Sequence, residues 1–341
     1  MPFFDKIRDG GTINMYFPVF PEKGDLLGVC APSAGVGHKL ELFDQSVKAL
    51  ESQGYRIKET AHVRVEDARG GTAEERANEL VSLFDDPDIK AVLSAAGGDF
   101  LYEILPFINW NRIKRNPKWM AGASDPTSIL FTLTTKYDIA SLYGFNAGSF
   151  DETPLSPCLK DALNILKGKL PIQKTSRLYA SKPSFADDYV GPDTPTQWHS
   201  NKKDIHTTGR CIGGCMDVLK DLIGTPFDNV KSFVRRYKED GIIWYFDNFS
   251  LSAENFYRTL LQMKYAGWFE YARAVIIGRV LFPSSETGMT YEEAILRAMD
   301  DLPVISEADI GHTVPSFTMI NGAVMELSYR NGKGKIKFTL R

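Results

Sequence analysis

The stretch Trp119-Met-Ala-Gly-Ala-Ser-Asp-Pro-Thr-Ser-Ile-Leu-Phe131 predicts a buried strand, a tight turn and a helix in immediate succession. Asp125 is a favoured N-cap residue and Pro126 a favoured first helical residue, so we expect the helix to begin there. A serine at position 124 would lie at a strand end, beside the positive end of a helix dipole. That position suits a nucleophile, because its reaction develops negative charge. The residues Ser-Asp-Pro also start many ordinary helices. The turn alone therefore does not distinguish a catalytic serine from an ordinary helix start.

Strands and helices alternate on both sides of this turn. The predicted strands cover residues 25–32, 55–59, 89–95, the stretch that ends before 124, and 139–143. Amphipathic stretches with helical spacing separate them. This alternation is typical of βαβ units and predicts an α/β fold with a parallel, doubly wound sheet. Ligands of such sheets bind beyond the carboxyl ends of the strands, where the Gly97-Gly98 turn and Ser124 are both expected.

The length of 341 residues favours two domains. Residues 1–170 are expected to form the N-terminal domain, which begins with an aromatic lead-in at 1–23. Residues 171–208 are rich in Pro, Ser, Asp and Thr and are expected to cross between the domains. Residues 209–341 are expected to form a smaller α/β C-terminal domain.

Composition argues against several functional classes. A net charge of −3 with scattered basic residues argues against nucleic-acid binding. No apolar run approaches the ~20 residues of a membrane span, and the first residues lack the apolar core of a signal peptide. We therefore expect a cytoplasmic protein without a membrane partner. Four cysteines in a chain of this length do not indicate a disulfide framework.

Neither a cofactor nor a metal is predicted. The phosphate-binding loop Gly-x-x-x-x-Gly-Lys-Ser/Thr does not occur, and no Gly-x-Gly-x-x-Gly follows the first strand. Cys211 and Cys215 are four positions apart without a second pair of ligands nearby, which argues against zinc.

Three side chains could provide the catalytic groups that acyl transfer requires. Ser124 would be the nucleophile, Asp247 the orienting acid and His312 the general base. Asp247 ends a predicted strand and could instead be a turn residue, and His312 could be an exposed loop histidine. The order Ser, Asp, His also occurs in α/β-hydrolases, but their Gly-x-Ser-x-Gly elbow is missing because Pro126 occupies the last glycine position.

Five pieces of sequence occur in a characteristic order. They are Ala96-Gly-Gly98, Gly122-Ala-Ser-Asp125, Ile212-Gly-Gly214 with Leu222-Ile-Gly-Thr-Pro226, the strand end at Asp247, and Gly311-His312. In this order they resemble the LD-carboxypeptidase family of serine peptidases. That family includes the muropeptide LD-carboxypeptidases and the microcin C immunity hydrolases.

The resemblance implies a Rossmann-like N-terminal domain with the nucleophile and a smaller C-terminal domain with the acid and base. It also implies a homodimer and metal-independent hydrolysis of an amide. Ser124 would then be the nucleophile and His312 the general base. The backbone N–H groups of Asp125 and Gly98 would form the oxyanion hole, in which the loss of one donor commonly costs ~10²–10³ in turnover.

The sequence departs from the family pattern at three positions. The acid is usually Glu, so Asp247 has a side chain that is one methylene shorter. Cys215 stands where Asn usually follows the second Gly-Gly, and Asp99 stands where an aromatic residue is common. Together with Gly97 and Trp198, Cys215 and Asp99 are the positions at which we expect substrate contacts.

The sequence leaves several functions open. The leading hypothesis is a serine LD-carboxypeptidase that removes the terminal D-alanine from murein tetrapeptides. An immunity-type hydrolase would instead cleave an aminoacyl or peptidyl nucleotide-like toxin, with Trp198 stacking on its purine. A third hypothesis is a non-catalytic ligand-binding relative, in which Asp247 no longer supports catalysis. An ester-cleaving α/β-hydrolase is the fourth, and it predicts Ser124, Asp247 and His312 in one domain.

Overall fold

A computed structural model describes residues 14–299 and 301–341. The chain divides into an N-terminal unit, residues 1–169 with Arg341, and a C-terminal unit, residues 170–340. Both units are α/β, which confirms the predicted fold class with two domains. The predicted aromatic lead-in is described only from residue 14. Within that part, the ring of Phe20 stacks on Trp119 with centroids 4.7 Å apart.

The N-terminal unit contains a parallel sheet between helices. Its strands are β1 Leu26–Cys30, β2 Arg56–Glu59, β3 Ile89–Ser94, β4 Trp119–Gly122 and β5 Ser141–Tyr143, and its helices are α1 Leu40–Ser52, α2 Ala73–Asp85, α3 Trp110–Arg115, α4 Thr127–Tyr137 and α5 Pro157–Leu166. These strands pair in the order β5-β4-β3-β1-β2, all in parallel. The sheet is therefore doubly wound, as predicted. β4 is fully buried, as expected for a parallel strand that is covered on both faces.

The C-terminal unit is organised around a mixed sheet. The strands of this unit are β6 Gln173–Lys174, β7 Leu178–Tyr179, β8 Thr194–Pro195, β9 His199–Ser200, β10 Asp204–Cys215, β11 Ile242–Asp247, β12 Ala272–Gly278, β13 Val304–Ala308, β14 Met319–Asn321, β15 Val324–Arg330 and β16 Lys333–Thr339. The mixed sheet has the strand order β6-β16-β15-β10-β11-β12-β13-β9, and β7 pairs with β8 in a separate two-stranded sheet. The helices of this unit are α6 Met216–Leu222, α7 Val230–Arg236, α8 Ala253–Tyr265 and α9 Tyr291–Ala298. β10, β11, β12 and β13 pair in parallel and form the middle of the sheet. Antiparallel strands flank this parallel part on both sides.

The two units have nearly equal lengths. Residues 171–208, which the sequence analysis took as a crossing, contribute β6 to β9 and the start of β10 to the C-terminal unit. Their polar composition reflects short strands and turns rather than a free linker. Among the described residues, no helix has both the length and the apolar character needed to cross a membrane.

Candidate active site

The Ser124 turn is a tight connection between β4 and α4. Ser124 is partly exposed and has a left-handed backbone, with φ of 70°. Its N–H donates to the hydroxyl of Tyr143 at 3.3 Å. Gly122 permits the turn, because a Cβ there would lie 2.5 Å from Cβ of Pro126. The hydroxyl of Ser124 is thus carried by a strained residue on a packed turn, where its position is well defined.

The predicted N-cap at Asp125 is wrong. α4 begins at Thr127 and Pro126 occupies the N-cap position, without a capping side chain. The buried carboxylate of Asp125 instead accepts hydrogen bonds from Ser33 Oγ and from the backbone N–H of Leu101 at 2.8 Å. Burial raises the pKa of Asp125, although these hydrogen bonds oppose the rise. Asp125 therefore joins the loops that follow three neighbouring strands.

The Gly97-Gly98 turn lies directly against Ser124. A Cβ on Gly97 would be 2.9 Å from Cβ of Ser124 and 3.2 Å from its Oγ. Gly98 has φ of +147°, and a Cβ there would be 2.4 Å from Ser33 Oγ. Only glycine fits both positions, so the backbone approaches the serine hydroxyl closely. The neighbouring Asp99 is exposed.

Two backbone donors are open beside this turn. Among residues 14–299 and 301–341, the N–H groups of Gly98 and Asp125 make no hydrogen bond. These are the two groups that the sequence analysis assigned to the oxyanion hole. Backbone donors that are fixed and not yet engaged can stabilise charge that develops during a reaction.

Arg76 is a supporting residue that the sequence analysis missed. Its side chain is buried and donates to the carbonyl oxygens of Pro32, at 2.9 Å, and Ser33, at 3.1 Å. It also forms an ion pair with Glu103. Arg76 therefore holds the loop after β1 in place, next to the Gly97-Gly98 turn. The available signal was its position in α2, where a charge precedes Leu80 by four residues on the apolar face.

The C-terminal unit contains a carboxylate and an imidazole in close contact. Oδ2 of Asp247 lies 2.8 Å from Nδ1 of His312, and Oδ1 accepts the backbone N–H of His312 at 3.3 Å. The two side chains are therefore in direct contact. Gly311 permits this approach, because a Cβ there would lie 2.0 Å from Oδ1 of Asp247. The shorter acid thus reaches the histidine.

The surroundings of His312 favour its protonated form overall. Burial lowers its pKa, but the nearby Asp247 and, to a smaller degree, Asp217 raise it, and the net direction is upward from 6.5. The ring of Phe249 covers the imidazole, with centroids 4.7 Å apart. Asp217 and Phe249 were not found from the sequence, because they come from α6 and from the loop after β11.

Cys215 ends β10 directly opposite Asp247 in the parallel register. It is buried, and burial raises the pKa of its thiol, so the group is neutral at ordinary pH. The chain therefore has an uncharged, weakly polar group where a carboxamide was expected from the family pattern.

Trp198 requires a correction. Its side chain is fully buried, and its Nε1 donates to Oδ2 of Asp309 at 3.0 Å. The indole ring packs directly against Gly334, because a Cβ at that position would lie 2.1 Å from the ring. In this position the ring is not available to stack on a purine. Trp198 lies in the segment 171–208, which was expected to cross between the domains, but its ring packs against the antiparallel part of the sheet.

The predicted residues fall into two groups. Ser124, Gly97, Gly98 and Asp125 belong to the N-terminal unit, whereas Asp247, His312 and Cys215 belong to the C-terminal unit. The α/β-hydrolase hypothesis predicted nucleophile, acid and base in one domain, and it is not supported. Within the described ranges 14–299 and 301–341, no group of three His, Cys, Asp or Glu side chains could hold a metal ion.

Two family models match the chain in succession. Residues 27–144 match the LD-carboxypeptidase N-terminal domain, and residues 208–327 match the LD-carboxypeptidase C-terminal domain. Because these matches cover more than half of the chain, the protein belongs to the LD-carboxypeptidase family, peptidase family S66. The resemblance seen in the sequence is confirmed, and the protein is a hydrolase of the carboxypeptidase class.

Individual relatives represent two branches of this family. The microcin C7 self-immunity protein MccF of Escherichia coli is 26% identical over 332 residues, which cover 90% of this chain and 92% of that protein. The murein tetrapeptide carboxypeptidase of Pseudomonas aeruginosa is 27% identical over 206 residues, which cover 58% of this chain and 60% of that protein. The solved structure of MccF in complex with aspartyl sulfamoyl adenosine matches with a TM-score of 0.79 at 23% identity, covering 95% of this chain and 99% of that chain. The structural likeness concerns the fold.

Proposed function

We propose that this protein is a serine LD-carboxypeptidase in which Ser124 is the nucleophile, His312 the general base and Asp247 the orienting acid. The observation that carries the proposal is the contact of Asp247 with His312, where Oδ2 and Nδ1 are 2.8 Å apart. A carboxylate on Nδ1 leaves Nε2 of the neutral imidazole as the proton acceptor and stabilises the imidazolium that forms. The open N–H groups beside Ser124 supply the other half of the chemistry.

The proposed reaction has two steps. His312 Nε2 takes the proton of Ser124 Oγ as Oγ attacks the amide carbonyl, and the N–H groups of Gly98 and Asp125 stabilise the oxyanion. His312 then gives this proton to the nitrogen of the leaving group, the C–N bond breaks, and an acyl-enzyme remains. A water molecule, deprotonated by His312, releases the acyl group and restores the serine hydroxyl.

The leading substrate is a murein tetrapeptide that loses its terminal D-alanine. The family description and the name of the Pseudomonas relative support it. An aminoacyl or peptidyl nucleotide is the second candidate, because the match to MccF extends over 90% of this chain and that to the murein enzyme over 58%. For such a substrate, the exposed rings of Phe185 and Phe282, 6.1 Å apart, are available for stacking where Trp198 is not.

Activity and labelling together test the proposal. The protein is incubated with a murein tetrapeptide and, separately, with an aminoacyl sulfamoyl adenosine, and the products are identified by mass spectrometry. We expect release of D-alanine, no effect of a chelator, and labelling of Ser124 by a serine-directed acylating probe. Ser124→Ala should abolish both the release of D-alanine and the labelling. Ser52→Ala, at an exposed helix end, should change neither of these two results. A folded protein that cleaves neither substrate and is not labelled would instead be the ligand-binding relative.

Two further properties belong to this proposal. We expect a cytoplasmic homodimer that acts on a small peptide or peptidyl nucleotide, without a nucleic-acid or membrane partner. Light scattering coupled to size exclusion gives the mass in solution, and a value of one chain contradicts the dimer. Fractionation of cells that produce the chain tests its location.

A further inference from the structure

The residues that follow β11 form a closed turn next to His312. The buried side chain of Asn248 accepts the N–H of Leu251 at 3.0 Å and donates to the carbonyl of Leu251 at 3.4 Å. The turn 248–251 is thus fixed from inside. It directly follows Asp247, so its orientation is coupled to that of the acid.

Asp217, near the start of α6, attaches this turn to a different element. Its Oδ2 accepts the N–H of Phe249 at 2.9 Å, and its Oδ1 accepts the N–H of Ser250 at 3.0 Å and Ser250 Oγ at 3.1 Å. Three hydrogen bonds to one carboxylate are charge-assisted and therefore stronger than bonds between neutral groups. They fix the backbone on both sides of the Phe249 Cα.

Phe249 connects this fixed turn to the imidazole of His312 through a ring contact. Its ring centroid lies 4.7 Å from that of His312, and the two planes are tilted by 53°. On another side, Phe282 contacts Phe249 edge-on, with centroids 5.2 Å apart. Phe249 is therefore held between Phe282 and His312, and it limits the directions in which the imidazole can turn.

We propose that Asp217 is a positioning residue for His312, because it fixes the turn that keeps Phe249 against the imidazole while Asp247 holds Nδ1. The effect on turnover rests on the proposed function, whereas the position of the imidazole does not. A carboxylate at 217 also acts through its charge. The charged groups that face His312 are Asp247 from β11 and Asp217 from α6, and both raise its pKa against the lowering effect of burial.

Three variants separate the attachment of this turn from general stability. Asp217→Asn removes the charge and replaces one acceptor oxygen with a donor. Glu254→Gln is the matched control, because Glu254 holds a different loop of the same unit by accepting Ser285 Oγ and the N–H of Thr287 at 2.7 and 2.9 Å. Phe249→Leu removes the ring and leaves Asp217 intact, so it defines the spectrum of His312 without the aromatic contact.

The first measurement is the proton NMR signal of the His312 imidazole across a pH titration, assigned with His312→Gln. In Asp217→Asn we expect the shift caused by the Phe249 ring to move toward its value in Phe249→Leu, and the titration midpoint to move to lower pH. Glu254→Gln should leave both at their wild-type values. If Asp217→Asn is folded and keeps the wild-type shift and midpoint, the proposal is wrong. If Asp217→Asn does not fold, Ser250→Gly is used instead, because it removes only the hydrogen bond from Ser250 Oγ to Asp217. At pH 7 its His312 signal is then compared with those of the wild type and Phe249→Leu, and a signal at the wild-type position contradicts the proposal.

The second measurement is kinetic. We expect Asp217→Asn to lower kcat by about threefold to tenfold with KM nearly unchanged, because general-base catalysis depends on the position of the base. An equal loss in Glu254→Gln would mean that both residues act through stability, which contradicts the proposal. Wild-type protein without activity would overturn the proposed function alone, since the NMR titration needs no substrate.

Discussion

The carboxylate of Asp247 holds both the side chain and the backbone of His312, with Oδ2 2.8 Å from Nδ1 and Oδ1 3.3 Å from the backbone nitrogen. An acid one methylene shorter than the glutamate usual in the family would be expected to fall short. It does not, because Gly311 lets the chain approach the carboxylate so closely that no side chain fits between them. The close contact of Asp247 with His312 therefore depends on the glycine at position 311.

Asp247→Asn should lower kcat by about 10³–10⁴-fold, as the loss of the orienting carboxylate does in other triads. The amide has nearly the same size but neither holds the required tautomer nor stabilises the imidazolium. Steady-state kinetics with the substrate that the wild type cleaves measures the loss. Asp221→Asn, on the exposed side of α6, is the control and should retain wild-type kcat. A decrease of less than tenfold in Asp247→Asn would exclude Asp247 from the mechanism.

Gly311→Ala should unfold more readily and lose most of its activity. Its Cβ would lie 2.0 Å from Oδ1 of Asp247, and the backbone has φ of +101°. Gly288→Ala is matched to it, because Gly288 has φ of +81° but open space around its Cβ. Backbone strain costs ~1–3 kcal/mol at either position, so only the difference between the variants reports the clash with Asp247. Chemical denaturation gives this difference, and equal losses would contradict the expected contact.

The pH dependence of kcat/KM should follow His312, which must be neutral to accept a proton. Its pKa is raised above the ordinary 6.5 despite the opposing effect of burial, so activity should fall as the pH is lowered through a value above 6.5. Removing the negative charge in Asp247→Asn should move this acidic limb to lower pH. A pH–rate profile of both proteins tests the shift. A limb that stays in place would assign it to another group.

Asp125→Asn should reveal the cost of a buried carboxylate in the N-terminal unit. Burial raises the pKa of Asp125 above its ordinary value of 3.8 in the folded protein. Its contribution to stability is therefore complete below pH 3.8 and is lost as the pH rises through the raised value. The free energy of unfolding of the wild type minus that of Asp125→Asn should therefore be smaller at pH 8 than at pH 4. Urea denaturation at both pH values measures the gap, and a gap independent of pH contradicts burial of the charge.

Much of the N-terminal unit could be predicted from sequence because its signals are local. Apolar strands alternate with amphipathic helices, and the parallel pairing of β3 with β4 brings their carboxyl ends together. That geometry predicts Gly97 and Ser124 at the same edge of the sheet from the sequence alone. The strand that ends at Asp247 was recognised for the same reason, since a charge directly after a buried run marks its end.

The contacts that failed prediction are those between distant parts of the chain. Asp125 has the letters of an N-cap, but tertiary hydrogen bonds from Ser33 and Leu101 engage its carboxylate. Trp198 lies in a polar segment that suggested an exposed loop, yet its indole is buried on Gly334. Asp217 is 32 residues from the N–H of Phe249 that it accepts. Neither composition nor periodicity encodes such pairings.

At Ser124 the left-handed backbone makes stability and the proposed catalytic role favour different residues. A non-glycine residue with φ near 70° costs ~1–2 kcal/mol, and glycine avoids that cost. A library of variants sorted only for heat resistance would therefore accumulate glycine at 124 and discard the hydroxyl. With Ser124 as the proposed nucleophile, a search for more stable variants should screen for turnover at the same time, because glycine at 124 relieves the strain and removes that nucleophile.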